Sequence, residues 1–114
     1  MEETTVSLEE YVRRVLDAYR QTPGTAGVIR RLDRLLAAEL HARRVPLSAV
    51  ENAFVLATSR RLIRPPNAPP LGIIRSLAYF SPVIDEVLAL RVNPEYYRYL
   101  RYKIQRFLQT SNKI

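Results

Sequence analysis

Towards the end of this 114-residue chain, rings alternate with cations: Tyr96, Arg98, Tyr99, Arg101, Tyr102, Lys103 and Arg106 fall within one short stretch. A guanidinium can grip a phosphate through two parallel hydrogen bonds, and a phenol ring can stack on a base. Together these are the chemistry of nucleic-acid binding. A plainer reading competes. On a helix Tyr99 meets Lys103 and Tyr102 meets Arg106, four residues on, so each pair can satisfy itself through a cation–π contact. Two further cationic sets lie upstream: Arg30, Arg31, Arg34 and Arg44, then Arg60, Arg61 and Arg64. At helical spacing the first set falls on one outer face with His41, and reads either as a phosphate-tracking surface or as a solvated face.

Other chemistries lack their parts. One His, no Cys and no nucleophile elbow leave neither a catalytic triad nor a zinc cluster. Three glycines, none grouped, make no phosphate-cradling loop. Asp85 and Glu86 are neighbours, so on a helix they point in different directions and make a poor acid–base pair. His41, between Arg-bearing positions, is expected as a surface or phosphate-contacting residue. The sequence therefore assigns no catalytic residue, no metal ligand and no cofactor, and predicts a protein that is not an enzyme.

The net charge of +7 is uneven. Residues 25–70 carry eight arginines against three acids, and residues 91–114 six bases against Glu95; the segments around them are near-neutral or acidic. Such blocks raise encounter rates with polyanions and say nothing about fold. Sixteen of the eighteen bases are Arg. A GC-rich genome would give that ratio too, but not the clustering. No apolar run approaches the roughly 18 residues of a membrane span. The acidic start, MEETTVSLEE, has no signal-peptide core, and a cytoplasmic protein with no membrane partner is expected.

The elements that must position these residues are all helical: one domain over residues 1–114, a compact all-α bundle of about five helices. Its centre is predicted at about 46–63, PLSAVENAFVLATSRRLI, apolar nearly all round and so covered on several sides. Ser7 and Glu10 form a capping-box pattern ahead of Leu8, Tyr11, Val12, Val15 and Tyr19, giving a first helix to about Gln21, with Glu9–Arg13 and Glu10–Arg14 pairs on its surface. Thr22-Pro23-Gly24-Thr25 breaks it. The second helix is expected from Ala26 to Arg43, with Val28, Ile29, Leu32, Leu35, Leu36 and Leu40 inward, and Asp33 and Glu39 partly neutralising the arginine stripe. The central helix starts either on a Ser48–Glu51 capping box or with Pro46 in its first position.

Four prolines in 64–70 predict a stiff connector rather than a peptide ligand for an aromatic groove. Leu71–Ser76 is expected to be irregular. Leu77, Phe80, Ile84, Val87 and Leu88 then keep one helical face, with Pro82 kinking the helix or restarting it at Ser81. Asn93-Pro94-Glu95 starts the last helix, whose Tyr97, Leu100, Ile104, Phe107 and Leu108 are expected inward. Residues 110–114 are expected to fray.

Val45–Phe54 resembles the turn and second helix of the helix-turn-helix family, with Val45 as the turn apolar residue and Val50 as the buried one. Arg44 stands where that family has Gly, and Phe54, Val55 and Leu56 suit a buried helix better than one lying in a groove. From about 50 to 87 the string VENA…ATSRRLIRP…IRSLAYFSPVIDEV resembles short proteins of bacterial mobile elements, and its second part the C-terminal helical segments of plasmid and phage replication initiators. That resemblance implies work on DNA, with a larger replication or recombination protein as partner, and carries over no site residues.

The expectation is thus a basic helical accessory protein directed at the nucleic-acid backbone, DNA before RNA. The alternative is a protein-interaction module docking through its Tyr/Arg-rich last helix or its proline-rich loop.

Overall fold

The computed structural model describes residues 6–90 and 93–111. Among them are five α-helices, α1 (Leu8–Gln21), α2 (Arg31–Ala42), α3 (Leu47–Leu62), α4 (Ser81–Leu90) and α5 (Pro94–Ser111), with a 3-10 turn at Leu77–Phe80 leading into α4. This is the expected all-α bundle, and α3 is its centre, packed against α1, α4, α5 and the 3-10 turn.

In α1, the Ser7 hydroxyl accepts the Glu10 N–H at 3.1 Å, and Tyr11, Val15, Leu16 and Tyr19 are buried. Leu8, expected on that row, is exposed in the first turn. The surface ion pairs also differ from expectation. Arg13 bridges Glu10 (2.6 Å) and Asp17 (3.4 Å), and Arg20 joins Asp17 at 2.9 Å.

The second helix departs most from its prediction. It starts at Arg31 rather than Ala26, because the chain before it is held extended: Ile74 donates to the Gly24 carbonyl (2.7 Å) and accepts from the Ala26 N–H (2.8 Å). Gly24 and Gly27 have positive φ, so the break is built on residues without a Cβ. The helix is also rotated. Asp33 is only 3% exposed, and its carboxylate accepts the N–H of Arg30 and the N–H of Leu77, each at 2.9 Å. Of the six residues expected inward, Leu40 is buried and Ile29 and Leu36 pack partly against the core, whereas Leu32 and Leu35 are turned outward and Val28 is exposed in the extended stretch before the helix. Asp33 and Ala37 take the inward places beside Leu40, and Asp33 does not stand on the arginine stripe.

At its end, Arg44 donates to the His41 carbonyl (2.9 Å) and Val45 to the Leu40 carbonyl (3.0 Å), with Arg44 at φ +61°. This is the left-handed helix stop that glycine usually makes. Pro46 stands one place before α3, which begins at Leu47, so neither expected start is used. Phe54 is 4% exposed, its ring edge-on to Phe80 with centroids 4.7 Å apart. Thr58 and Ser59, also buried, return their hydroxyls to the carbonyls of Phe54 (2.7 Å) and Leu56 (2.8 Å). The turn leads into α3, which is covered by α1, α4 and α5 and so is not disposed to enter a groove.

The proline run is a connector, folded in its middle by a turn in which the Ala68 N–H meets the Pro65 carbonyl at 3.0 Å. Pro82 restarts the helix at Ser81, after the 3-10 turn. Leu77, Phe80, Ile84 and Val87 are buried, and Leu88 is exposed. Asn93 caps α5 by accepting the Glu95 N–H at 2.8 Å. Tyr97 and Leu100 of α5 are buried and Ile104 and Leu108 partly so, whereas Phe107, expected inward, is 43% exposed. Only the row continuing from Tyr97 lies against α3, and Phe107 falls beside it. The sequence predicts fraying over 110–114, but α5 continues through Ser111, and 112–114 lie outside the described residues; no described helix is long and apolar enough to cross a membrane.

Candidate nucleic-acid interface

Because α5 buries the Tyr97–Leu100–Ile104–Leu108 row against α3, helical geometry turns Tyr99, Tyr102 and Arg106 outward. Arg98 flanks them on one side, Lys103 and Phe107 on the other, and all six side chains are exposed. Lys103 Nζ lies 5.7 Å from the centroid of Tyr99, and the Arg106 guanidinium lies 5.7 Å from that of Tyr102 while Nη1 donates to the Tyr102 hydroxyl at 2.7 Å. The intrahelical cation–π pairing expected from spacing is therefore formed, and the rings stay open to solvent beside their cations. Among the described residues none of these cations has an ion-pair partner, and Glu95 is the single acid of the helix.

The structure adds Arg64 to this face. It follows the end of α3 and lines a shallow cavity with Lys103, Ile104 and Phe107. Arg101 belongs elsewhere: it sits at the seam with α3, where it donates to Asn52 Oδ1 at 3.3 Å and borders a cleft between α1, α3 and α5. That cleft holds one acid, Glu51, and no pair of groups arranged for acid–base work.

Two of the other arginines are engaged within the fold. Arg60 makes a two-point contact with Glu86, at 2.8 and 2.5 Å, and this hydrogen bonding holds the Glu86 carboxyl below the usual carboxylate range. Arg61 donates to the Gly72 carbonyl at 2.7 Å and to the Tyr79 hydroxyl at 3.3 Å, and its guanidinium would be met at 3.2 Å by a Cβ on Gly24. Asp85 turns to Arg43 at 3.5 Å, so the two neighbouring acids of α4 do point apart.

The remaining candidates form a separate surface. Arg30, Arg31 and Arg34 are exposed on and before α2, which packs on α1 and the 3-10 turn rather than on the side occupied by α5. Arg44 is exposed at the left-handed turn. His41 is not on an open polar face: its ring lies edge-on to Tyr11 at 5.1 Å, with Nε2 3.4 Å from the Val6 carbonyl.

Sequence reasoning misses one residue of this face. Phe107 reads as core because it is apolar and one residue from Leu108; its position four beyond Lys103 is the signal for the outer face. Among the described residues no group of three or more His, Asp or Glu could hold a metal ion. Compared with protein-family models, curated proteins and solved structures, the chain matches none.

Proposed function

We propose that this protein binds nucleic acid through the outer face of α5, with Arg98, Lys103, Arg106 and the adjoining Arg64 gripping phosphates and Tyr99, Tyr102 and Phe107 offering rings for stacking. One observation carries the reading: among the described residues, three exposed rings and four cations free of ion pairs share one surface, opposed only by Glu95. Rings of this kind favour unpaired bases, whose faces are open, over duplex. The contacts are with backbone and base faces, so affinity depends little on sequence. DNA in a replication or mobile-element setting is favoured by the resemblance of residues 50–87. Those residues build the core, Phe54, Leu77, Phe80, Ile84 and Val87 included, and so bear on ancestry more than on the site.

The test is the salt dependence of affinity for single-stranded and duplex oligonucleotides. Log affinity should fall linearly with log salt, and neutralising Arg64, Arg98, Lys103 and Arg106 should flatten the duplex slope by about 0.9 for every phosphate that is no longer gripped. Neutralising Arg30, Arg34 and Arg44 should change it less. A protein-docking module working through α5 or the 64–70 connector would instead show no steep salt dependence on oligonucleotides. An unchanged slope in the α5 variant, with helicity intact, would sink the α5 reading.

A further inference from the structure

The rotation of α2 leaves a helix face that the fold does not use. Leu32 is 74% exposed and Leu35 50%, and Arg31, Glu39 and Ala42 share their side of the helix. Leu32 is the most exposed of the large apolar side chains among the described residues, and Leu35, one turn on, sits near the middle of the helix rather than at a frayed end. Neither Arg31 nor Glu39 has an ion-pair partner among the described residues. Both flank Leu35 at a distance of four residues, one on each side, with opposite charge.

That symmetry identifies the occupant. We infer that this face pairs with the same face of a second copy of the chain, the two α2 helices running antiparallel about a two-fold axis through Leu35. In that register Leu35 meets the partner's Leu35, Leu32 lies level with the partner's Ala38, where a small side chain leaves room, and Arg31 lies level with the partner's Glu39. The charge pair occurs twice, once at each end of the contact. A parallel arrangement would set Arg31 on Arg31 and Glu39 on Glu39, with the helix dipoles also aligned unfavourably. A self-complementary patch of this kind is what a two-fold dimer requires. The inference rests on α2 alone and is independent of the role given to α5.

The whole chain should be examined by sedimentation over a concentration series. The unaltered protein should pass from monomer to dimer. Leu35→Glu, which sets two like charges on the axis, should remain monomeric with unchanged helicity. Arg31→Glu and Glu39→Arg should each weaken the dimer by more than about tenfold, since each juxtaposes like charges twice. The double variant Arg31→Glu/Glu39→Arg should return to within about threefold of the unaltered protein, as opposite charges again face each other. A monomer at every concentration overturns the inference and leaves the face to a different protein. A dimer that survives Leu35→Glu, or charge variants without mutual rescue, places the contact elsewhere and overturns it equally.

Discussion

The carboxylate of Asp33 meets the backbone N–H of Leu77, forty-four residues further along the chain, at 2.9 Å, and its other oxygen meets the N–H of Arg30 at the same distance. One buried side chain thus caps the start of α2 and fixes the start of the 3-10 turn. Asp33→Ala should strand the buried Leu77 N–H and uncap the part-buried Arg30 N–H, and cost about 2–3 kcal/mol in urea denaturation. Asp33→Asn, whose amide can accept one of the two bonds, should cost less. A loss under about 1 kcal/mol for the alanine variant would show that the buried carboxylate does not hold the two segments together.

Arg44 bears the left-handed conformation at the end of α2 without being glycine. For most side chains that conformation costs roughly 1–2 kcal/mol. Arg44→Gly should therefore raise the urea midpoint, by up to about 1 kcal/mol in stability once the extra freedom of unfolded glycine is deducted. A clear loss of stability would mean that the arginine side chain contributes more at this turn than its strain takes away.

Two phenols should report on the core at alkaline pH. Burial, the largest cause for each, pushes the Tyr19 and Tyr97 hydroxyls above the ordinary tyrosine value, with the charges of Asp33 and Glu86 adding to it. The unfolded chain then releases these protons first, near pH ~10, so stability is full below that pH and falls as pH rises through the folded-state values. Absorbance titration should show two tyrosines ionising above the ordinary tyrosine value. Among the described residues neither hydroxyl has a hydrogen-bond partner. Tyr97→Phe should accordingly leave stability near pH 7 unchanged or raise it by up to about 1 kcal/mol, and should shallow the alkaline loss.

On the α5 face, the rings and the cations should separate in their effects. Tyr99→Ala or Phe107→Ala should weaken single-strand binding by about 1–3 kcal/mol per stacked base while leaving the salt slope nearly unchanged. Their effect on duplex binding should be smaller. Equal losses on single strand and duplex would mean that the rings pack against their own helix and take no base.

What can be read from the chain alone follows the range of the forces involved. The cap of α5 at Asn93, the restart at Ser81 and the all-round apolarity of α3 are written in neighbouring residues, and all three are found. The rotation of α2 is not, because the group that turns Asp33 inward is a backbone N–H on a segment that arrives only after α3 and the proline run. Without that partner in view, the leucine row is the natural inner face. Phe107 is misread for a related reason: hydrophobicity alone cannot say where the width of α3 ends. The outward row of Tyr99, Tyr102 and Arg106 is legible because helical spacing carries the inward row of Tyr97 and Leu100 with it.

The contacts of Ile74 with Gly24 and Ala26 make residues 24–74 into a closed ring of roughly fifty residues. Forming it costs chain entropy that no contact inside α2 or α3 returns, so the stretch from Gly72 to Phe80 should dock late in folding. The same ring makes the polypeptide divisible. The exposed turn at 65–68 lies inside it, and on either side of a cut there the halves remain joined by the Ile74 contacts, the Asp33–Leu77 bond and the packing of α4 and α5 on α3. An engineered protease site at Pro66–Asn67 should therefore yield two fragments that elute together from a sizing column and part only in denaturant. Two separate peaks in native buffer would show that continuity of the chain, and not the closure of the ring, keeps the two halves in register.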